Sequence, residues 1–140
     1  MAADGMVSCG SQIIDKNMRK VHRVLVPATL SAPAREVIVG IAGSVYNVDP
    51  FVAWLRAGRP SGDKPDLSED FEALVLEEGA GVLSYNDKCQ TWREPDRAAI
   101  GSGMSHALAA LDAGADPEKA VKIAIERDHG TGGKILVEKL

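Results

Sequence analysis

The chain reads as an α+β fold built on antiparallel sheets, and two observations predict it. Short apolar runs separated by tight turns fill the first third and the middle of the sequence, as hairpin-linked strands do. The helical stretches are grouped, with two back to back near the C-terminus, instead of alternating regularly with strands as a parallel sheet requires. A length of 140 residues bounds this to one domain, residues 1–140. Such a domain can bury a sizeable core without disulfides.

The elements follow in order. Met1 to Val7 is small and apolar, Gly10-Ser11 makes a turn, and Gln12-Ile13-Ile14 is a short apolar run. Lys20 to Val26 alternates, placing Val21, Arg23 and Leu25 on one face and His22, Val24 and Val26 on the other. Pro27 to Pro33 is a loop. Glu36 to Ala42 (EVIVGIA) is almost continuously apolar, the signature of a strand buried on both faces.

A helix then begins, with Asp49 as expected N-cap and Pro50 at the first helical position. Phe51, Val52, Trp54 and Leu55 form its apolar stripe and Gly58 stops it. Arg59 to Pro65 is rich in turn formers and predicts an exposed loop. Strands are expected at Phe71–Leu76, Val82–Tyr85 and Cys89–Trp92, joined by turns at residues 77–81 and at Asn86-Asp87. Two helices follow. Met104 to Ala113 carries Ala107, Leu108 and Leu111 on one face, closed by Gly114. The next starts at Asp116-Pro117-Glu118 and carries Ala120, Val121, Ile123, Ala124 and Ile125. Gly132-Gly133 leads to a last strand, Ile135 to Val137. There is no internal repeat, low-complexity tract or linker.

Composition excludes several classes. A net charge of −4 argues against a nucleic-acid binder, which usually shows a basic face. No run approaches the ~20 apolar residues of a membrane span. No basic-then-apolar export signal opens the chain, so a cytoplasmic location is expected. Cys9 and Cys89 read as reduced thiols that pack as small apolar side chains. His22, His106 and His129 are scattered without metal-ligand spacing, so neither metal nor cofactor is expected.

Three segments carry a resemblance. Ala2-Ala3-Asp4-Gly5 followed by Lys20-Val21 is the first. Gly40-Ile41-Ala42-Gly43, a strand running into a helix, is the second. Ile100-Gly101-Ser102-Gly103, a helix pair, then Arg127-Asp128-His129-Gly130-Thr131-Gly132-Gly133 is the third. In this order they resemble the proteasome β-type and HslV subunits of the Ntn-hydrolase superfamily. The likeness covers nearly the whole chain and fails at residues 59–70, where the family has a second long helix. It identifies the chain as similar to a short, bacterial or phage-type member.

The resemblance implies a four-layer α-β-β-α sandwich with antiparallel sheets. It implies a self-compartmentalising threonine endopeptidase: a homo-oligomeric ring that degrades unfolded polypeptides and is served by an ATP-driven unfoldase ring. The nucleophile in that family is an N-terminal threonine whose α-amine, with a pKa near ~8, is the general base. Carried over by position, Lys20 is the lysine beside that threonine and Asp4 its carboxylate partner. Gly40 supplies the oxyanion N–H. Ser102, Asp128 and Thr131 surround the amine, Thr131 standing where the family has serine but keeping the hydroxyl.

The nucleophile itself is not among these residues. By position the threonine falls before Met1, so the first strand of the fold is expected to be missing from these 140 residues. Ser8 and Cys9 are internal and lack a free amine. The reading is therefore an active-site scaffold whose threonine strand lies upstream of Met1. Two alternatives stand beside it: a non-catalytic structural subunit of the same fold, and an Ntn amidohydrolase acting on a small amide.

Overall fold

The structure is a computed structural model and describes residues 1–9, 11–29 and 33–140. Its centre is one strand. Val37, Ile38 and Val39 of β5 (Arg35–Ala42) are fully buried, because the apolar run gives the strand two apolar faces to cover. It is flanked by β4 (Val21–Val26) and β6 (Glu72–Glu77). β7 (Gly81–Asn86) and β8 (Thr91–Arg93) extend a five-stranded sheet in the order β4-β5-β6-β7-β8. Every pairing is antiparallel, as the hairpin spacing predicts.

One face of this sheet is closed by α1 (Val48–Arg56). Val24, Val26, Val37, Val39, Ile41, Ala73 and Val75 meet Phe51, Val52, Trp54 and Leu55 in a single apolar cluster. Phe51 is its hub, with ring centroids 4.9 Å from Phe71 and 5.4 Å from Tyr85.

The other face is covered by smaller pieces. β1 (Ala2–Ala3) pairs with β9 (Leu136–Val137), which brings the two ends of the chain together. β2 (Val7–Cys9) and β3 (Gln12–Asp15) form a hairpin whose second strand is exposed throughout. α2 (Met104–Asp112) and α3 (Pro117–Arg127) pack as a helical hairpin. The Asp116 side chain caps α3 by accepting from the Lys119 N–H at 2.8 Å, as the Asp-Pro pair predicts.

Several expectations need correction. Asp49 is not the N-cap: a 3₁₀ turn at Val45–Asn47 runs directly into α1. Asp49 lies in the first turn, where its charge favours the helix N-terminus. The Asn47 side chain is drawn away to Ser68, with which it exchanges two hydrogen bonds. The face of β4 shared by Val21, Arg23 and Leu25 is as read, and only Val21 on it is buried. Leu108 and Leu111 are only half-buried, and Ala110 is the buried residue of α2. Cys89 is buried but Cys9 is exposed in the hairpin. Gly10 and Leu30–Ala32, within the expected first turn and the proline loop, lie outside the described residues.

The 59–65 segment is irregular, as read, but it is anchored. The Arg59 guanidinium pairs with Glu77 and lies 5.7 Å from the Tyr85 ring centroid. Glu77 is 6% exposed and also receives Arg35 at 3.3 Å. The Trp54 indole N–H donates to the Pro60 C=O at 3.0 Å. Arg59 holds a left-handed backbone, φ 62°, which its side-chain contacts must sustain. Removing Glu77 strands two guanidiniums at the edge of the core. Glu77→Ala is expected to lower unfolding free energy by about 3 kcal/mol in urea titration. Glu77→Gln should recover part of the loss by keeping one hydrogen-bond acceptor.

Candidate functional site

Two polar clusters are built where the chain's segments converge on the second face of the sheet. In the first, Lys20 Nζ contacts both Asp4 carboxylate oxygens, at 3.1 and 3.2 Å. Asp4 Oδ2 also accepts the backbone N–H groups of Met6, at 2.9 Å, and Gly132, at 3.1 Å. The carboxylate is thus fixed by its own turn and by the C-terminal glycine segment. The pair is mostly buried, with side chains 14% and 22% exposed. An ammonium has three protons to donate, and Lys20 also lines the cavity described below.

In the second cluster, the Ser102 and Thr131 hydroxyls both donate to Asp128 Oδ2, at 2.6 and 2.5 Å. These two bonds, Ser102 first and Thr131 second, hold the Asp128 carboxyl below its ordinary range. Ser102 stands just before α2, and Asp128 is the C-cap of α3. The helical hairpin therefore brings residues 26 positions apart into contact.

Glycines make room for this arrangement. A Cβ on Gly103 would lie 2.6 Å from the Thr131 hydroxyl, and one on Gly130 would lie 2.6 Å from the Ser102 hydroxyl. Gly133 needs its positive φ of 78° and passes so close to the Lys16 C=O that no side chain fits. The role of Gly103 and Gly130 as spacers around two hydroxyls shows only in three dimensions.

Asp4, Lys20, Gly40, Ser102 and Thr131 all line one cavity of about 330 Å³, with Asp128 behind them. Its floor is the second face of the sheet, at Gly40, Leu74, Leu76 and Val82; its roof includes Leu111, Ala120, Val121 and Ala124 from α2 and α3. β1 forms a side wall. Met1 and Glu138 exchange both backbone hydrogen bonds, at 2.7 and 2.9 Å. Ala2, one residue on, must then aim its own N–H and C=O away from β9. No described strand pairs with that edge. Gly40 lies in the ladder between Val21 and Leu74, and a Cβ there would meet Met1 Sδ at 2.7 Å. A second cavity, about 680 Å³, adjoins the first at Lys20, Ile41, Ala42, Gly101, Ser102 and Gly130. Among the described residues no group of His, Cys, Asp and Glu is placed to hold a metal ion.

No helix of the described residues is long and apolar enough to cross a membrane. No protein-family model matches the chain. Solved structures with the same fold include Thiobacillus denitrificans BPH, at TM-score 0.67 and 17% identity. They also include Thiobacillus denitrificans BPH in complex with epoxomicin, at TM-score 0.68 and 18% identity. Each match covers 96% of this chain and 88% of the other. What is shared at this identity is the fold, a mixed α+β architecture with antiparallel sheets.

The Asp128 bonds give a direct test. Ser102→Ala and Thr131→Val each remove one donor, so the Asp128 pKa should rise stepwise and be highest in the double variant. Carboxyl-carbon NMR titration reads this. A carboxylate whose folded pKa is depressed stabilises the fold above its unfolded pKa. That contribution is lost as pH falls through the folded value. The double variant should therefore show a smaller loss of stability on acidification than the parent chain.

Proposed function

We propose that this chain is the site scaffold of a proteasome-like peptidase of the Ntn-hydrolase type. The observation that carries the reading is the cavity. It is walled on one side by an unpaired strand edge, it is apolar along floor and roof, and it ends at the two polar clusters. One more extended strand laid beside β1 would pair with Ala2, bury its apolar side chains between sheet and helices, and deliver its end to Lys20 and Ser102. A strand upstream of Met1 with threonine at its head fits that description. With it the fold becomes the four-layer α-β-β-α sandwich of the family. Epoxomicin, found in complex with a protein of the same fold, is a proteasome inhibitor and supports this class of chemistry.

The residues divide the work. The threonine α-amine takes the proton from its own hydroxyl, whose oxygen attacks the peptide carbonyl. Lys20, held by Asp4, places positive charge beside that oxygen and favours its anionic form. Gly40 is assigned the oxyanion N–H. Ser102 and Thr131, oriented by Asp128, hydrogen-bond the amine and the water that later releases the acyl group. The second cavity, opening at the same residues, is the approach for an unfolded polypeptide. Assembly as a homo-oligomeric ring in the cytoplasm, fed by a separate ATP-driven unfoldase, belongs to the same proposal, since the chain carries no Walker motif of its own.

A non-catalytic subunit is the second reading, favoured by the Met1 side chain lying over Gly40. The two separate cleanly. The chain expressed with the in-frame codons upstream of Met1 should hydrolyse short fluorogenic peptides. Lys20→Ala should lower kcat by on the order of 10²-fold or more. An inactive extended chain, or an active one indifferent to Lys20, would sink the peptidase reading.

A further inference from the structure

The second cavity is lined by side chains that select for one kind of group. Its inner wall holds Met6, Ile41 and Val48, all apolar and buried, and the last two belong to the main core, which backs them. Ile14 of the β2–β3 hairpin and Tyr46 of the 3₁₀ turn stand at its mouth, 67% and 87% exposed. Single large apolar side chains on a surface are ordinary, but two that converge on one cavity mark a binding surface.

Three charged side chains also line this cavity, and none is free to receive a charged ligand. Arg19 donates Nε to the Val21 C=O at 2.9 Å and Nη2 to Glu138 at 3.0 Å. Lys20 is held by Asp4. Asp70 accepts the Ser68 hydroxyl at 2.5 Å and is exposed, so water screens it and it attracts a cation weakly. A charged group entering here must break one of these pairings or give up water without a counter-ion, and both are unfavourable.

We propose that the second cavity takes a large uncharged apolar side chain of the polypeptide, and that Ile14 and Tyr46 set this preference. The inference deepens the peptidase reading and rests on it for the polypeptide nature of the ligand. Continuity with the polar clusters supports the assignment, because Lys20, Ser102 and Gly130 line both cavities. An extended chain with an apolar side chain seated between hairpin and 3₁₀ turn would carry its backbone past those residues. The volume, about 680 Å³, falls within the ~300–1,000 Å³ of ligand pockets.

The test is binding to this chain without turnover. N-acetyl-alanyl-X-amides, with X leucine, phenylalanine, lysine or glutamate, are titrated while amide NMR signals are followed. The leucine and phenylalanine probes should shift Ile14, Ser44 and Tyr46. They should bind at least about tenfold more tightly than the lysine and glutamate probes, as burial of one such side chain implies. Ile14→Ser with Tyr46→Ser, at two exposed positions, should cut that advantage to about threefold or less by removing apolar contact area. Each single variant, lowering it in part, gives the same reading should the pair fold poorly. The proposal is overturned by no saturable binding of any probe, or by equal or tighter binding of lysine or glutamate. Shifts confined to Leu76, Val82 and Val121 of the first cavity, or an advantage unchanged in the variants, overturn it as well. None of these outcomes depends on hydrolysis, so failure here is distinct from failure of the peptidase assay.

Discussion

The Asp4 carboxylate is the point on which the rest of the site depends. It receives the Lys20 ammonium and the N–H groups of Met6 and Gly132. Those three partners come from the turn after the first strand, the entry to β4, and the glycine segment after α3. One carboxylate thus joins the beginning, the first quarter and the end of the chain. A buried carboxylate is tolerable only when its acceptor capacity is met, and here both main-chain and ionic donors meet it. The same bonds fix Lys20 at the cavity wall.

The neighbouring β1–β9 pairing uses the ends of the chain to do what a longer sheet would do elsewhere. It closes one side of the cavity and leaves the Ala2 edge open on the other. An open backbone edge beside an apolar trough invites another strand. That physical demand, more than any single residue, is why the proposed threonine strand makes sense of the molecule. The half-burial of Ala107 and Leu111 on α2 has the same origin, since both line the unfilled trough.

Much of the fold was legible because it rests on local patterns. The EVIVGIA run announced the central strand, the turn residues at 77–81 announced the β6–β7 hairpin, and Asp116-Pro117 announced the start of α3. Each is a short-range statement about backbone preference or side-chain period. The failures share a cause. Asp49 was misplaced as a cap because the preceding 3₁₀ turn is held by Ser68, twenty-one residues away. Arg59 looked like loop punctuation because its partner, Glu77, lies across the sheet. Alternation places Leu25 on the face of Val21 but says nothing about how far the covering layer extends, and Leu25 is exposed.

For the site, sequence alone determined the residue types and their order: an acid and a lysine sixteen apart, a glycine within a buried strand, and hydroxyl and acid residues set among glycines. Tertiary structure decided that Asp4, Lys20, Ser102 and Thr131 face one cavity, and that Gly103 and Gly130 are spacers for the two hydroxyls. It also decided that the Nε2 of His22, an ordinary residue of an alternating strand by sequence, is covered without a hydrogen-bond partner. The physical reason is that periodicity and turn chemistry act over a few residues, whereas hydrogen bonding and burial at a site are settled by whichever distant segments the core brings together.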